Sequence, residues 1–268
     1  MGAPSTGRIG IFDSGVGGLT VLKAIHRRLP HEPVLYFGDT ARLPYGTRCE
    51  GEILQFVREI VDWMQQEQVK LVIMACNTSS ALALHRVRRE YAVPLLGMIE
   101  PAAAQAAGGR RIGVIATPAT VASHAYRSAL ARLNPAAQVW EVGCPKFVPL
   151  IEQNRIHDAE TRSVVRAYLA PLLKQRIDTL IYGCTHYPLL DPVIEALLPP
   201  TVRRIDPAAQ VAIAAAQMLP ASACQSPSTR FCVSGDPDAF SRLAGQWLGY
   251  RPKTERVVPS LHPSGQPA

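Results

Sequence analysis

No apolar run in this chain approaches the ~20 residues that a membrane-crossing helix needs, and its first residues carry neither a basic segment nor an apolar signal core. That argues against a helical membrane protein and sets the expectation of a cytoplasmic one. Cys-x-x-Cys is absent, and the six cysteines are scattered through 268 residues, a length that buries its own core. Reduced thiols are therefore expected instead of a disulfide framework. Charged residues make up only 18% of the chain against 47% hydrophobic ones, which fits a globular protein with flexible tails over 1–7 and 259–268. The net charge is +7, yet the arginines come in scattered pairs such as Arg27-Arg28, Arg110-Arg111 and Arg203-Arg204, without a basic stripe. No nucleic-acid partner is expected.

What is present is a pattern of short apolar runs alternating with helical periodicity. Candidate strands cover 9–12, 34–37, 71–75, 95–98, 112–116, 139–142, 179–182 and 202–205, while Ile53, Leu54, Val57, Ile60, Val61 and Met64 fall at helical spacing. Strands that are apolar throughout imply an α/β fold with mainly parallel sheets covered on both faces. The pattern also repeats. Arg8-Ile-Gly-Ile-Phe12 matches Arg111-Ile-Gly-Val-Ile115, Val34 matches Val139, Cys76 matches Cys184, and Ile99-Glu-Pro-Ala-Ala103 matches Ile205-Asp-Pro-Ala-Ala209, at offsets of 103, 105, 108 and 106 residues. A period this long is a duplicated fold, since solenoid repeats run to only ~20–50 residues. The reading is two pseudo-symmetric α/β domains with a site in the cleft between them: 8–98 completed by 208–258, and 99–207. After the helix expected from Pro207, one further strand is read at 230–234, packing back on the first half.

In parallel sheets ligands sit beyond the carboxyl ends of the strands, where Asp13, Ser14, Cys76, Thr117 and Cys184 all fall. Asp13-Ser14-Gly15-Val16-Gly17-Gly18-Leu19 is a glycine-rich turn, but it has Thr20 where a dinucleotide fingerprint has glycine, and it lacks the Gly-Lys-Ser/Thr ending of a P-loop. A tight turn presenting amides, Ser14 and a carboxylate remains, or a structural turn capped by Asp13. Cys184-Thr185-His186 sets an imidazole beside the second thiol, and Glu152, in a loop at a related place, can set that histidine's tautomer. A cysteine hydrolase and a zinc site of Cys76, Cys184 and His186 are alternatives. The spacing fits no usual zinc pattern, so no metal is expected. Cys49, Cys144, Cys224 and Cys232 have no comparable setting. Two opposed thiols suit a reaction that takes a proton from one face of a carbon and returns one to the other.

Five stretches in order carry a resemblance: Phe12-Asp-Ser-Gly-Val-Gly-Gly18, Pro44-Tyr-Gly46, Ala75-Cys-Asn-Thr78, Pro149-Leu-Ile-Glu152 and Gly183-Cys-Thr-His-Tyr-Pro188. Over residues 8–219 the chain resembles the aspartate/glutamate racemase family, and His186 after Cys184-Thr185 favours its glutamate branch. The resemblance implies cofactor-independent interconversion of L- and D-glutamate for peptidoglycan, by a homodimer. Cys76 would take the proton from D-glutamate and Cys184 from L-glutamate, with Asp13, Ser14, Tyr45, Gly46, Asn77, Thr78, Thr185 and His186 on substrate-contact positions. An aspartate racemase is the nearest alternative, and a bilobal amino-acid binding protein is the alternative of a different class.

An unperturbed cysteine of pKa about 8.5 is mostly thiol near neutrality, so each half needs a helper. His186 can accept the proton of Cys184. Asp13 can serve Cys76 only as proton acceptor or relay, because a carboxylate's charge opposes a neighbouring thiolate.

Overall fold

The computed structural model describes residues 7–219 and 228–260. The tail expectation and Cys224 lie largely or wholly outside them. Among the described residues there are ten strands: β1 (Ile9–Asp13), β2 (Val34–Gly38), β3 (Leu71–Met74), β4 (Leu95–Gly97), β5 (Arg111–Ala116), β6 (Gln138–Gly143), β7 (Thr179–Gly183), β8 (Arg203–Ile205), β9 (Thr229–Val233) and β10 (Thr254–Arg256). They form a six-stranded sheet in the order β10-β9-β2-β1-β3-β4 and a four-stranded sheet in the order β6-β5-β7-β8. Every pairing is parallel. The shared order β2-β1-β3-β4 and β6-β5-β7-β8 is the structural form of the sequence repeat.

Burial follows from the alternation of side chains along a strand. In the first sheet Ile9, Ile11, Val34, Tyr36, Leu71 and Ile73 enter one core, while Phe12, Leu35, Phe37, Val72 and Met74 enter another on the opposite face. Both faces are covered by helices, so β1, β2 and β3 are buried along their whole length. The helix Glu50–Gln66 places its six buried apolar residues at helical spacing against the second of these cores. Its start is secured by the Cys49 amide donating to Glu52 Oε2 at 3.1 Å. By contrast β6, at a sheet edge, is only half-buried.

The chain crosses from the first sheet to the second through the helix Ile99–Ala106, whose Ile99, Ala102 and Ala103 join the core around Ile112, Val114 and Tyr126. It returns through the helix Pro207–Met218, which Asp206 caps by accepting from the Ala208 amide at 2.9 Å. Ala208, Val211 and Ala215 of that helix pack in the first sheet's core. After it come β9, the helix Pro237–Leu248 and β10, where the sequence reading had only the strand at 230–234. The missed strand is three residues, Thr-Glu-Arg, with no apolar run to mark it. The missed helix buries only Phe240 and Ala244 completely, too few to set a clear period.

Candidate active site

The carboxyl ends of β1 and β3, and of β5 and β7, face one cavity of about 150 Å³. Register puts the chemistry side by side: Phe12 pairs with Met74, so Asp13 and Cys76 leave adjacent strands, and Ala116 pairs with Gly183, so Thr117 and Cys184 do the same. Ser14, Tyr45, Gly46, Cys76, Asn77, Thr78, Thr117, Cys184, Thr185 and His186 all line this cavity. Both thiols are buried, at 6% exposure each.

Asp13 and Glu152 stand behind the wall. Asp13 is fully buried; its Oδ2 accepts from the Gly15 amide at 3.0 Å and its Oδ1 from Thr185 Oγ1 at 3.2 Å. Each oxygen thus accepts one hydrogen bond, from the turn and from the opposite half, and keeps lone-pair capacity for a proton. Glu152 meets His186 through Oε1 and Nε2 at 2.6 Å, and His186 Nδ1 lies 3.7 Å from Cys184 Sγ. Carboxylate, imidazole and thiol form one line.

The two thiols have unlike surroundings. Burial, then the charge of Asp13, pushes the Cys76 pKa up to about 12, against which the amides at Ser79 and Thr78 work only partly. Burial alone would lower the His186 pKa, but hydrogen bonds and charge from Cys184 and Glu152 outweigh it and hold the imidazolium well above 6.5.

The glycine-rich turn has a packing reason. A β-carbon on Gly17 would stand 2.5 Å from Thr185 Oγ1 and overlap His186 Nδ1, so only glycine lets the Cys184-Thr185-His186 turn approach. A β-carbon on Gly46 would likewise stand 2.7 Å from Thr117. Across the same boundary Thr78, Thr117 and Thr120 share a triangle of hydroxyl bonds at 2.9, 3.2 and 2.9 Å.

Several features differ from the sequence reading. Tyr45 lines the cavity, but its hydroxyl donates to the buried Asp39, which also accepts from Arg42 Nε at 2.6 Å and Ser234 Oγ at 2.7 Å. Its hydroxyl is thus a brace for the loop. Cys144, read as having no special setting, lines the cavity because its amide donates to Ala116 at 2.8 Å and turns the chain inward after β6. Tyr126 and Trp247 carried no motif, yet Tyr126 donates to Asn77 Oδ1 at 2.6 Å and the Trp247 ring stands edge-on to His186 at 5.9 Å. Among the described residues no three His, Cys, Asp or Glu side chains group so as to hold a metal.

A profile of the Asp/Glu/Hydantoin racemase family matches residues 9–217. A glutamate racemase of Gloeothece citriformis is 60% identical over 254 residues, covering 93% of this chain and 91% of that one. The crystal structure of a glutamate racemase isoform from Bacillus anthracis superposes with a TM-score of 0.91 at 37% identity, covering 95% of this chain and 98% of that one. The structure of the Francisella tularensis glutamate racemase in complex with D-glutamate gives 0.87 at 33% identity, again covering 95% and 98%.

Proposed function

This chain belongs to the Asp/Glu/Hydantoin racemase family, and from that membership we propose how its cleft interconverts L- and D-glutamate, with D-glutamate supplied for peptidoglycan. One α-proton leaves to a cysteine thiolate on one face of the substrate, and another arrives from the cysteine thiol opposite. The observation that carries this reading is the pair Cys76 and Cys184, at equivalent strand ends on facing walls of one cavity.

With L-glutamate bound, Cys184 acts as base. Its proton passes to His186, whose cationic form is favoured by Glu152. Cys76, held as a thiol by burial and by Asp13, delivers the proton to the other face. In the reverse direction Cys76 is the base, and its proton must move to Asp13, since Asp13's charge opposes the thiolate. The α-carbon is a very weak acid, so charge building on the α-carboxylate needs donors. Asn77 lines the cavity, and its Nδ2 is buried without a partner among the described residues. Together with Ser14 it supplies them, as an oxyanion hole would, with Thr78 and Thr185 lining the cavity beside them. Thr117 and the Tyr45-Gly46 loop close the remaining wall. No step calls on a cofactor.

The same reading divides the chain into 8–98 with 208–258 and 99–207, supported by the return of β9 and β10 to the first sheet. It takes the active form as a homodimer in the cytoplasm. The family resemblance supports the dimer, which sedimentation at micromolar concentration checks. No helix of the described residues is long and apolar enough to cross a membrane.

Proton NMR with L-glutamate in deuterated water tests the reaction. The α-proton signal falls as D-glutamate grows, and the product carries solvent deuterium. Cys76→Ser and Cys184→Ser each abolish it; racemisation that survives in either variant overturns the two-thiol assignment.

A further inference from the structure

Asn77 follows Cys76 directly and opens the helix Asn77–Leu82. Its side chain is 2% exposed and has two dissimilar ends: Oδ1 accepts from the Tyr126 hydroxyl at 2.6 Å, while Nδ2 has no partner among the described residues. Tyr126 comes from the other half of the molecule, in the helix Ala125–Leu133, with its ring fully buried among Ile99, Ala102, Ala129 and Ile181.

We infer that Tyr126 is a positioning residue: its hydroxyl fixes the carboxamide of Asn77 so that the amide nitrogen, and not the oxygen, faces the carboxylate of the substrate. This rests on Asn77 being a substrate donor, as proposed above. A carboxamide is nearly symmetrical in shape, so packing alone does not choose between its ends, and the choice falls to hydrogen bonds. In the flipped arrangement Nδ2 would donate to the phenol oxygen. The phenol proton would then have no acceptor among the described residues, and a buried Oδ1 would confront a carboxylate. Two buried unpaired groups and a repulsion disfavour it. The phenol cannot escape by ionising, because burial, followed by the charges of Cys184 and Asp206, holds its pKa well above 10.0.

Because the two partners belong to opposite halves, the donor is set correctly only when the halves are together. Closing the cleft and arming the site become one event.

A double-mutant cycle tests this with steady-state kinetics on L- and D-glutamate. Tyr126→Phe removes one oxygen and keeps the ring in its core, and kcat/KM is expected to fall about ten-fold, the worth of one hydrogen bond to a charged group. Asn77→Ala is expected to lower it at least as much, and adding Tyr126→Phe to Asn77→Ala should change it no further. Melting temperatures of all three variants accompany the kinetics. If Asn77→Ala is harmful and Tyr126→Phe is not, the positioning role falls while Asn77 keeps its place in the site. If the two losses multiply, Tyr126 acts through packing and the inference fails. If Asn77→Ala leaves kcat/KM unchanged, both readings fall together.

Discussion

At Cys184 the neighbouring group can hold a proton and a positive charge, whereas at Cys76 the neighbour is an acid that opposes the thiolate. Glu152→Gln keeps a hydrogen-bond acceptor for His186 but removes the charge that favours the imidazolium. A fall in kcat of about ten- to a hundred-fold is expected. The same variant has a stability signature. The His186 pKa is raised in the folded state, so the stability it contributes is fully present below the unfolded value near 6.5 and is lost as pH rises through the higher folded value. Each unit of difference is worth about 1.4 kcal/mol. Urea unfolding of the wild type and Glu152→Gln should therefore differ most near pH 6 and converge in alkali; a gap independent of pH would remove the charge pairing. Asp13→Asn acts on the other thiol. The two enantiomers have equal free energy, so kcat/KM must stay equal in both directions in any variant. What Asp13→Asn should change asymmetrically is kcat, falling more from D to L than from L to D, with KM for D-glutamate falling alongside. An overall loss of about a hundred-fold in kcat/KM accompanies it. A rise in KM with kcat intact would defeat the relay role.

The glycine-rich turn between β1 and the helix Leu19–Arg28 shows how an element can be built around its neighbour and not around a ligand. At Gly17 an added methyl meets Thr185 and His186, while at Gly51, inside the helix Glu50–Gln66, it meets nothing within 4 Å. Gly17→Ala should lower kcat more than ten-fold by displacing the imidazole, since misplacement by about 1 Å can cost a hundred-fold. Gly51→Ala should leave activity unchanged and add about 0.5–1 kcal/mol of stability, read as a small rise in Tm. The contrast also marks what a sequence discloses. Most strands of the repeat were legible as apolar runs, β8, Arg-Arg-Ile, only from Val202 and Ile205 at its ends, and the thiols because the repeat puts them at matching ends. The turn's glycines were legible as a turn, but the contact that requires Gly17 comes from a residue far along the chain and leaves no local mark. Tyr126, Cys144 and the Asp39 brace on Tyr45 were hidden for the same reason: each matters through a partner on another element. The buried pair of Lys70 and Glu32, 2.5 Å apart, is of this kind too. Glu32→Ala should cost about 3–5 kcal/mol in urea unfolding, because it leaves an ammonium buried without its counter-charge.

Taken whole, the molecule is two sheets that share one site, and its C-terminal segment ties them. That segment adds β9 and β10 to the first sheet, yet the helix between them carries Trp247 to the second half. The indole packs on the core of the first sheet and on a core of the second, stands edge-on to His186 at 88°, and its backbone carbonyl accepts from Lys23 Nζ at 3.0 Å. The edge-on ring stands against the imidazole without offering it a hydrogen-bond partner, and this contact should help keep His186 in the line from Glu152 to Cys184. Such aromatic pairs are worth about 0.5–1.5 kcal/mol, enough to change how much of the time the imidazole is aligned. Trp247→Ala should thus lower kcat about ten-fold while leaving the affinity for glutamate nearly unchanged, because Trp247 does not line the cavity. Trp247→Phe, which keeps a ring edge in place, should restore most of the rate. Steady-state kinetics on the pair decides the matter: equal losses in the two variants would mean that the ring's bulk between the halves, and not its contact with His186, is what the reaction needs.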